Sequence, residues 1–158
     1  AKVDVYWHHL SDVDEQAHIE AMVEALMEAL SGPTRRWNPY SRKLVEAEFR
    51  RRLVRASRGG LYPVDEVKSL RGGRGSLFEI RWNAIDVVDE VEPGELTHSK
   101  TNARLIHAEP GKLGIAMLGL VAHEKPRKDA KPLQDECIDR AEQIFDNGFD
   151  TVWGVTPR

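Results

Sequence analysis

The stretch "NARLIHAEPGKLGIAMLGLVAHEK", residues 102–125, decides the fold, because two apolar runs flank a turn signal. Pro110 and Gly111 occupy the positions that a type II turn favours for these two residue types. Residues 102–109 and 113–122 are therefore predicted to pair as an antiparallel hairpin. This hairpin gives the chain the centre of a small sheet.

The segments on either side of this hairpin predict a further strand of the sheet and a helix that follows it. "LFEIRW", residues 77–82, has the β-branched and aromatic content of a strand. After the hairpin, "PLQDECIDRAEQIF", residues 132–145, begins with a proline that suits the first turn of a helix. Its apolar residues recur at helical spacing and predict a core stripe: Leu133, Cys137, Ile138, Ala141, Ile144 and Phe145. Asn147 and Gly148 suit the exit of this helix.

The N-terminal part predicts one strand and two helices. "VDVYWHHL", residues 3–10, is typical of an opening strand. Ser11, Asp12 and Glu15 supply capping groups for a helix that ends at Gly32 and Pro33. Six apolar residues follow the cap at helical spacing: Ile19, Met22, Val23, Leu26, Met27 and Leu30. After a loop over residues 34–40, a second helix is predicted from Ser41 to Ser57.

Together these elements predict an α+β fold, with a small antiparallel-rich sheet, two N-terminal helices and one C-terminal helix. A chain of 158 residues with 41% hydrophobic content suffices for one core. We expect a single domain over residues 1–148, with an acidic insertion at about 84–100 and a short tail over 149–158. The insertion contains five carboxylates and one lysine.

Composition also indicates where the protein is located and whether it binds a metal. No stretch approaches the roughly 20 apolar residues that a membrane span requires, and no secretory signal is visible. The single Cys137 allows no internal disulfide, so a cytoplasmic protein is expected. His8 and His9 are adjacent and would face opposite ways on a strand, which argues against a shared metal site. We predict no metal and no cofactor.

Charge is distributed unevenly along the chain. Residues 31–81 contain thirteen lysines and arginines against five carboxylates, although the whole protein has a formal charge of −3. Such a cluster indicates a polyanion site, and the alternative is an ordinary solvated helix face. The glycine-rich "LRGGRGS", residues 70–76, lacks the Lys and Ser/Thr of a phosphate-binding P-loop. The candidate RNA-binding cations of this region are Arg50, Arg51, Arg55, Arg71 and Arg74.

A second set of cations lies on the predicted sheet. Arg81, Arg104, His123 and Lys125 belong to three neighbouring strands and are expected at one rim. A guanidinium can bind a phosphate through two hydrogen bonds, and a histidine can transfer protons near neutral pH. The alternatives are an ion pair of each arginine with a carboxylate such as Glu79, and a merely exposed His123.

Several of these segments resemble the RelE/HigB-like toxins, in particular the phage-derived HigB-type branch. "VKSLRGGRGSLFEIRW", residues 67–82, is similar to the family's leucine-bearing loop and the strand that follows it. "ARLIHAE" resembles its arginine-bearing strand, and "MLGLVAHEK" its hydrophobic strand ending in lysines. "ECIDRAEQIF" is similar to its last helix. The order of the predicted elements is also that of the family.

The resemblance implies a type II toxin that cleaves mRNA on the ribosome and inhibits translation, without a metal. A cognate antitoxin, usually a separate helix-turn-helix protein, would hold the toxin inactive. The resemblance gives catalytic roles to Arg81, Arg104, His123 and Lys125. In these roles the arginines clamp the phosphate and His123 transfers a proton. Arg127 and Lys128 would bind flanking phosphates.

Two other functions remain open. His123 and Glu124 stand where the family commonly has paired lysines, and the acidic segment adjoins the same strand. The chain is therefore alternatively a catalytically inactive binding module with this fold. Its partner would be a protein or a nucleic acid. A weaker alternative is a small DNA-associated protein that uses the basic helix from Arg50 to Arg58.

Overall fold

The computed structural model describes residues 1–70, 77–126 and 131–158, and it has an α+β architecture. One six-stranded, mostly antiparallel sheet carries helices on both faces. The strands are β1 (Asp4–Trp7), β2 (Arg35–Arg36), β3 (Val67–Ser69), β4 (Leu77–Glu90), β5 (Leu96–Ala108) and β6 (Ala116–Lys125). The helices are α1 (Glu15–Ala29), α2 (Pro39–Ala56) and α3 (Lys131–Gly148), with 3-10 turns at Gly111–Leu113 and Phe149–Gly154.

The sheet has the strand order β1-β6-β5-β4-β2, and β3 also pairs with β4. β1 runs parallel to β6, whereas all other pairs are antiparallel. The predicted hairpin is confirmed, since Asn102 lies opposite Lys125 and Ala108 lies opposite Leu118. The predicted type II turn is wrong. The connection contains a 3-10 turn instead, and its left-handed residue is Gly114, at φ 78°.

Local capping determines where the N-terminal helices begin. Asp14 caps α1 by accepting a hydrogen bond from the Ala17 backbone N–H at 2.9 Å. The predicted cap near Ser11 and Asp12 is wrong, because the chain is still in a turn there. Asn38 caps α2, so this helix begins two residues before the predicted Ser41. All six predicted core residues of the first helical stripe are buried: Ile19, Met22, Val23, Leu26, Met27 and Leu30.

Two separate cores cover the two faces of the sheet. On the face that we call the α1–α2 face, Phe49 and Leu53 pack in one cluster with Ile80 and Trp82. On the opposite face, which we call the α3 face, Leu77 and Ile106 share a cluster with residues of α3. Successive residues of a strand point to opposite faces, so each strand contributes to both cores.

The acidic segment 84–100 is not a loop. The strand predicted at residues 77–82 continues to Glu90 after a bulge at Ala84, which has φ 58°. β5 begins at Leu96, so the segment forms a long two-stranded arm of the sheet. The short β2, missed in the predicted loop, pairs with this arm and places Arg35 opposite Asp89. Arg35 Nε lies 3.0 Å from Asp89 Oδ1, an ion pair that fixes part of the acidic charge.

The C-terminal residues pack against the α3 face. Trp153 is completely buried, and its indole N–H donates to the Phe145 carbonyl at 2.8 Å. A Cβ on Gly148 would lie 2.5 Å from the Trp153 ring, so the glycine at the end of α3 makes room for the indole. The predicted tail is therefore part of the core. Leu133, predicted in the core stripe, is exposed instead.

Candidate functional site

Three of the predicted catalytic residues form a row across the sheet. Arg81 of β4 lies directly opposite Arg104 of β5, and Arg104 lies directly opposite His123 of β6. Directly opposed residues of antiparallel strands have Cβ atoms about 4.5–5.5 Å apart. Strand alternation from Leu77 and Ile106 places the arginines on the α3 face. The structure thus brings Arg81, Arg104 and His123 together.

A carboxylate lies beside the two arginines. Glu79 Oε1 is 3.6 Å from Arg81 Nε and 3.8 Å from Arg104 Nε, and the Glu79 side chain is 2% exposed. Gln134 of α3 donates a hydrogen bond to the other oxygen of Glu79 at 3.3 Å. The predicted alternative of an ion pair with Glu79 is therefore also present. At these distances the carboxylate compensates the two positive charges without accepting a hydrogen bond from either Nε.

Arg104 is held rigidly inside this site. Its Nη1 donates to the Ala103 carbonyl at 2.9 Å and to the Trp82 carbonyl at 3.3 Å. Burial lowers the pKa of Arg104 to about 10; Glu79 opposes this change and Arg81 adds to it. The guanidinium remains charged at neutral pH. Its Nε and that of Arg81 are buried and have no hydrogen-bond partner among the described residues. Both atoms are donors available to an anion.

The imidazole of His123 is uncharged and can accept a proton. Burial lowers its pKa to about 4, and Arg104, Lys125 and Arg140 lower the pKa further, whereas the Glu124 backbone opposes the change. The imidazole is thus neutral at pH 7. Its Nδ1 lies 3.3 Å from the Glu124 carbonyl oxygen, which can only accept, so we assign the ring proton to Nδ1. Nε2 then carries a lone pair, and it is buried without a partner in the described part of the chain.

Lys125 follows two residues later on the same strand and the same face. It lies opposite Asn102, next to the row rather than within it. Burial lowers the pKa of Lys125, and the positive charges of Arg104, Arg81 and Lys68 lower it further against the opposing effect of Glu79. A lysine ammonium with a lowered pKa is a better proton donor than an ordinary one.

Glu124 faces away from these cations. It lies between His123 and Lys125 in the chain, and strand alternation puts it on the α1–α2 face. There Arg35 Nη2 lies 3.0 Å from its carboxylate, and the Thr101 hydroxyl donates to the same oxygen at 2.5 Å. Its negative charge is therefore paired on the opposite side of the sheet. The departure from lysine at this position does not place a carboxylate beside the row.

The predicted RNA-binding arginines of α2 lie apart from the row, because α2 covers the α1–α2 face. Arg50 forms two hydrogen bonds with Glu20, each 2.7 Å long. Arg51 pairs with Glu48 at 3.0 Å, and Arg55 pairs with the carboxylate of Glu66. This arrangement is that of an ion-paired helix surface. The remaining predicted cations, Arg71, Arg74, Arg127 and Lys128, lie outside the described residues.

Burial also lowers the pKa of histidines away from the row. His107 stacks on Phe78 with 5.5 Å between ring centroids, and burial lowers its pKa to about 3. Burial likewise lowers the pKa of His8 to about 4. Over residues 1–70, 77–126 and 131–158, no three His, Cys, Asp or Glu side chains come together in a group that could hold a metal ion.

Sequence reasoning gave Glu79 only as a counterion and did not identify Gln134. The signal for Glu79 was its position two residues before Arg81 in "LFEIRW", which puts both on one face of a strand. No sequence signal identified Gln134, because its contact depends on how α3 packs against the sheet.

Comparisons with protein-family models, with curated proteins and with solved structures give no match for this chain. Among the helices of the described residues, none has the length and apolarity needed to span a bilayer.

Proposed function

We propose that this protein is a metal-independent endoribonuclease of the RelE-like toxin class, which cleaves mRNA on the ribosome and inhibits translation. The observation that carries the proposal is the row formed by Arg81, Arg104 and His123. It joins two charged guanidiniums that have unused Nε donors to a neutral imidazole that has an unused Nε2. Phosphoryl transfer to a ribose hydroxyl requires these two functions, anion stabilisation and proton transfer.

The proposed reaction begins at the ribose 2′-hydroxyl. His123 Nε2 accepts the 2′-hydroxyl proton while the 2′-oxygen forms a bond to the adjacent phosphorus. Arg81 and Arg104 donate hydrogen bonds to the phosphorane, which carries more negative charge than the ground-state phosphodiester. The bond from phosphorus to the 5′-oxygen breaks, and Lys125 donates a proton to that oxygen. The products are a 2′,3′-cyclic phosphate and a 5′-hydroxyl.

Glu79 would keep the two arginines side by side. Without a carboxylate, two guanidiniums on directly opposed strand positions would repel one another. A phosphate that enters the row supplies a second negative charge and completes the hydrogen bonding of the Nε donors. Glu79 is therefore proposed to position the arginines, and its hydrogen bond from Gln134 keeps the carboxylate in place.

The arrangement of the elements supports the assignment to the RelE-like class. A first strand, two helices, an antiparallel set of strands and a closing helix follow one another in the chain. The first strand returns to the sheet parallel to the last one, β6. In this proposal, a separate helix-turn-helix antitoxin holds the enzyme inactive.

Inducible expression in a bacterial host, combined with mapping of mRNA 5′ ends, tests the proposal. We expect growth arrest and new 5′-hydroxyl ends within translated messages. The purified protein should cut mRNA on ribosomes and leave 5′-hydroxyl ends, because the ribose 2′-hydroxyl is the attacking group. Arg104→Lys should lower the activity about 100-fold, whereas Arg42→Lys, on the outer surface of α2, should retain it. Cleavage that leaves 5′-phosphates would contradict the mechanism.

A specific observation favours the second candidate, a binding module without catalysis. Arg104 and His123 are only 2% and 5% exposed, so RNA reaches them only if side chains at the surface of the site move. A binding module would bind RNA or a protein with the same affinity in wild-type and His123→Ala forms and would cleave nothing. The cleavage assay with purified protein therefore separates the two functions.

A further inference from the structure

β6 has an open edge beyond the end of β1. The two strands pair only from Ala116 to Gly119, and the last bond of this ladder runs from the His8 N–H to the Gly119 carbonyl at 3.2 Å. The chain then turns away at His9, which has φ 59° and donates its N–H to Trp153. β6 continues to Lys125, and no other strand of the described residues pairs with this edge. The edge is about 20 Å long at 3.3 Å per residue.

A groove runs along this edge between two helices. It has a volume of about 590 Å³, and residues 120–122 of β6 form its floor. Ala25 and Ala29 of α1 line one wall, and Arg140 and Ile144 of α3 line the other. The small side chains of α1 leave room for a second backbone beside β6. An unpaired strand edge inside a groove is the geometry used for β-strand addition.

The two walls differ in chemistry. The α1 wall presents methyl groups and one carboxylate, Glu28, and it meets the α1–α2 face of the sheet. The α3 wall presents Arg140, which is exposed and has no carboxylate within ion-pair distance among the described residues. His8 belongs to the same groove, and its Nδ1 is buried without a partner there. Lys125 lies at the far end of the edge on the same face as Arg140.

We propose that this edge binds an extended segment of a separate protein, which adds a strand beside β6. Residues of the added strand that face α3 are acidic, because they meet Arg140 and, further along, Lys125. Alternate residues face α1 and are small and apolar, because they meet Ala25 and Ala29 and would be repelled by Glu28 if acidic. Under the proposed function, the acidic residues lie next to His123 and keep RNA phosphate out of the row.

Titration of the isotope-labelled full-length protein by NMR tests this inference. The probe is the peptide acetyl-Val-Glu-Val-Glu-Val-Glu-amide, and its counterpart has lysine in place of glutamate. We expect the acidic peptide to shift the amide signals of residues 120–125 and of Ala25 and Ala29, and to bind at least tenfold more tightly than the lysine peptide. Arg140→Glu should weaken acidic-peptide binding by at least tenfold. The matched charge reversal Lys43→Glu, on α2, should leave it unchanged.

Three results would overturn the inference. They are equal affinity for the two peptides, signal changes outside the groove, and no binding at millimolar peptide. Self-association of the protein through residues 120–125, seen by sedimentation and by the same amide signals, would assign the edge to a second copy instead. The docking site does not depend on the proposed function. Only the statement that a bound segment keeps RNA out of the row rests on it. Peptide binding without any ribonuclease activity would support the docking site and contradict the proposed enzyme. Ribonuclease activity without peptide binding would support the enzyme and contradict the docking site.

Discussion

Arg104 lies directly opposite His123 across the ladder of β5 and β6, and both side chains are almost fully withdrawn from solvent. Burial lowers the pKa of His123 to about 4, and the positive guanidinium of Arg104 lowers it further, so the imidazole is neutral at pH 7. Under the proposed function, this pair of residues would combine a base with a cation that binds the phosphate.

Arg104→Lys is expected to lower RNA cleavage by about 100-fold, because an ammonium cannot replace a planar guanidinium that donates from fixed positions. The measurement is the rate of 5′-hydroxyl formation in mRNA on ribosomes, with folding checked by circular dichroism. Arg42→Lys is the matched control, since the Arg42 side chain pairs with Glu46 on the surface of α2. A folded Arg104→Lys protein with the full rate would remove Arg104 from the mechanism.

The pH dependence of cleavage should reflect the lowered pKa of His123. The neutral base persists down to about pH 4, so the rate should not fall near pH 6.5, where an ordinary histidine becomes protonated. The measurement is the rate of 5′-hydroxyl formation in mRNA on ribosomes between pH 5.5 and pH 8. A loss of activity centred near pH 6.5 would show that the imidazole is protonated like an exposed one, and it would contradict the assigned state.

Sequence patterns predicted the elements whose signals are local. The stripe from Ile19 to Leu30 and the hairpin around residues 102–125 follow from side-chain periodicity, and both are observed. Periodicity did not reveal that the arm over 84–100 is a strand pair, because its apolar residues, such as Ile85 and Val87, are interspersed with five carboxylates. The complete burial of Trp153 was not predicted, because it depends on long-range packing against α3.

The candidate site was predictable only in part. Strand alternation, which can be read from the sequence, puts Glu79 and Arg81 on one face of their strand. The register that sets Arg104 opposite His123 could not be read, because the predicted type II turn is wrong and a bulge lies between Ile106 and His107. The burial of these side chains and the contact from Gln134 depend on the path of α3, which the sequence pattern does not specify. The carboxylates that pair with the basic cluster of α2, such as Glu20 and Glu66, come from distant segments and could not be identified from the sequence.

Glu79→Gln should destabilise the protein by about 3–5 kcal/mol, because it leaves the buried charge of Arg104 without a counterion. Glutamine retains the shape of the side chain, so the change isolates the charge. The free energy of unfolding in urea is the measurement, and Glu92→Gln, at the exposed tip of the arm, is the control. Equal stabilities of the two variants would show that another group neutralises the positive charge of Arg104.

Stability should fall as the pH drops below 6.5. His8, His107 and His123 have lowered pKa values of about 4, 3 and 4 in the folded protein, against 6.5 for an ordinary histidine. Between these values the unfolded chain binds more protons than the folded one, so acid favours unfolding.

His107→Gln removes one such group. Between pH 7 and pH 5 this variant should lose about 2 kcal/mol less unfolding free energy than the parent. An identical loss in both proteins would contradict the burial of a neutral His107. The exposed His98 provides the control, His98→Gln.

Trp153→Ala should destabilise the protein by about 3–5 kcal/mol, the range for removing a fully buried large side chain. The indole lies 5.0 Å from the ring of Phe145 and 5.6 Å from that of Phe149, measured between centroids, so its loss opens a cavity against α3. Trp153→Phe should cost less, because it retains part of the apolar contact, although it loses one ring of the indole and the N–H donated to the Phe145 carbonyl. Tyr40→Ala, at an 82% exposed position, should change the unfolding free energy by less than about 0.5 kcal/mol. Urea unfolding of the three variants is the measurement. If Trp153→Ala were as stable as Tyr40→Ala, Trp153 would not belong to the core that packs against α3.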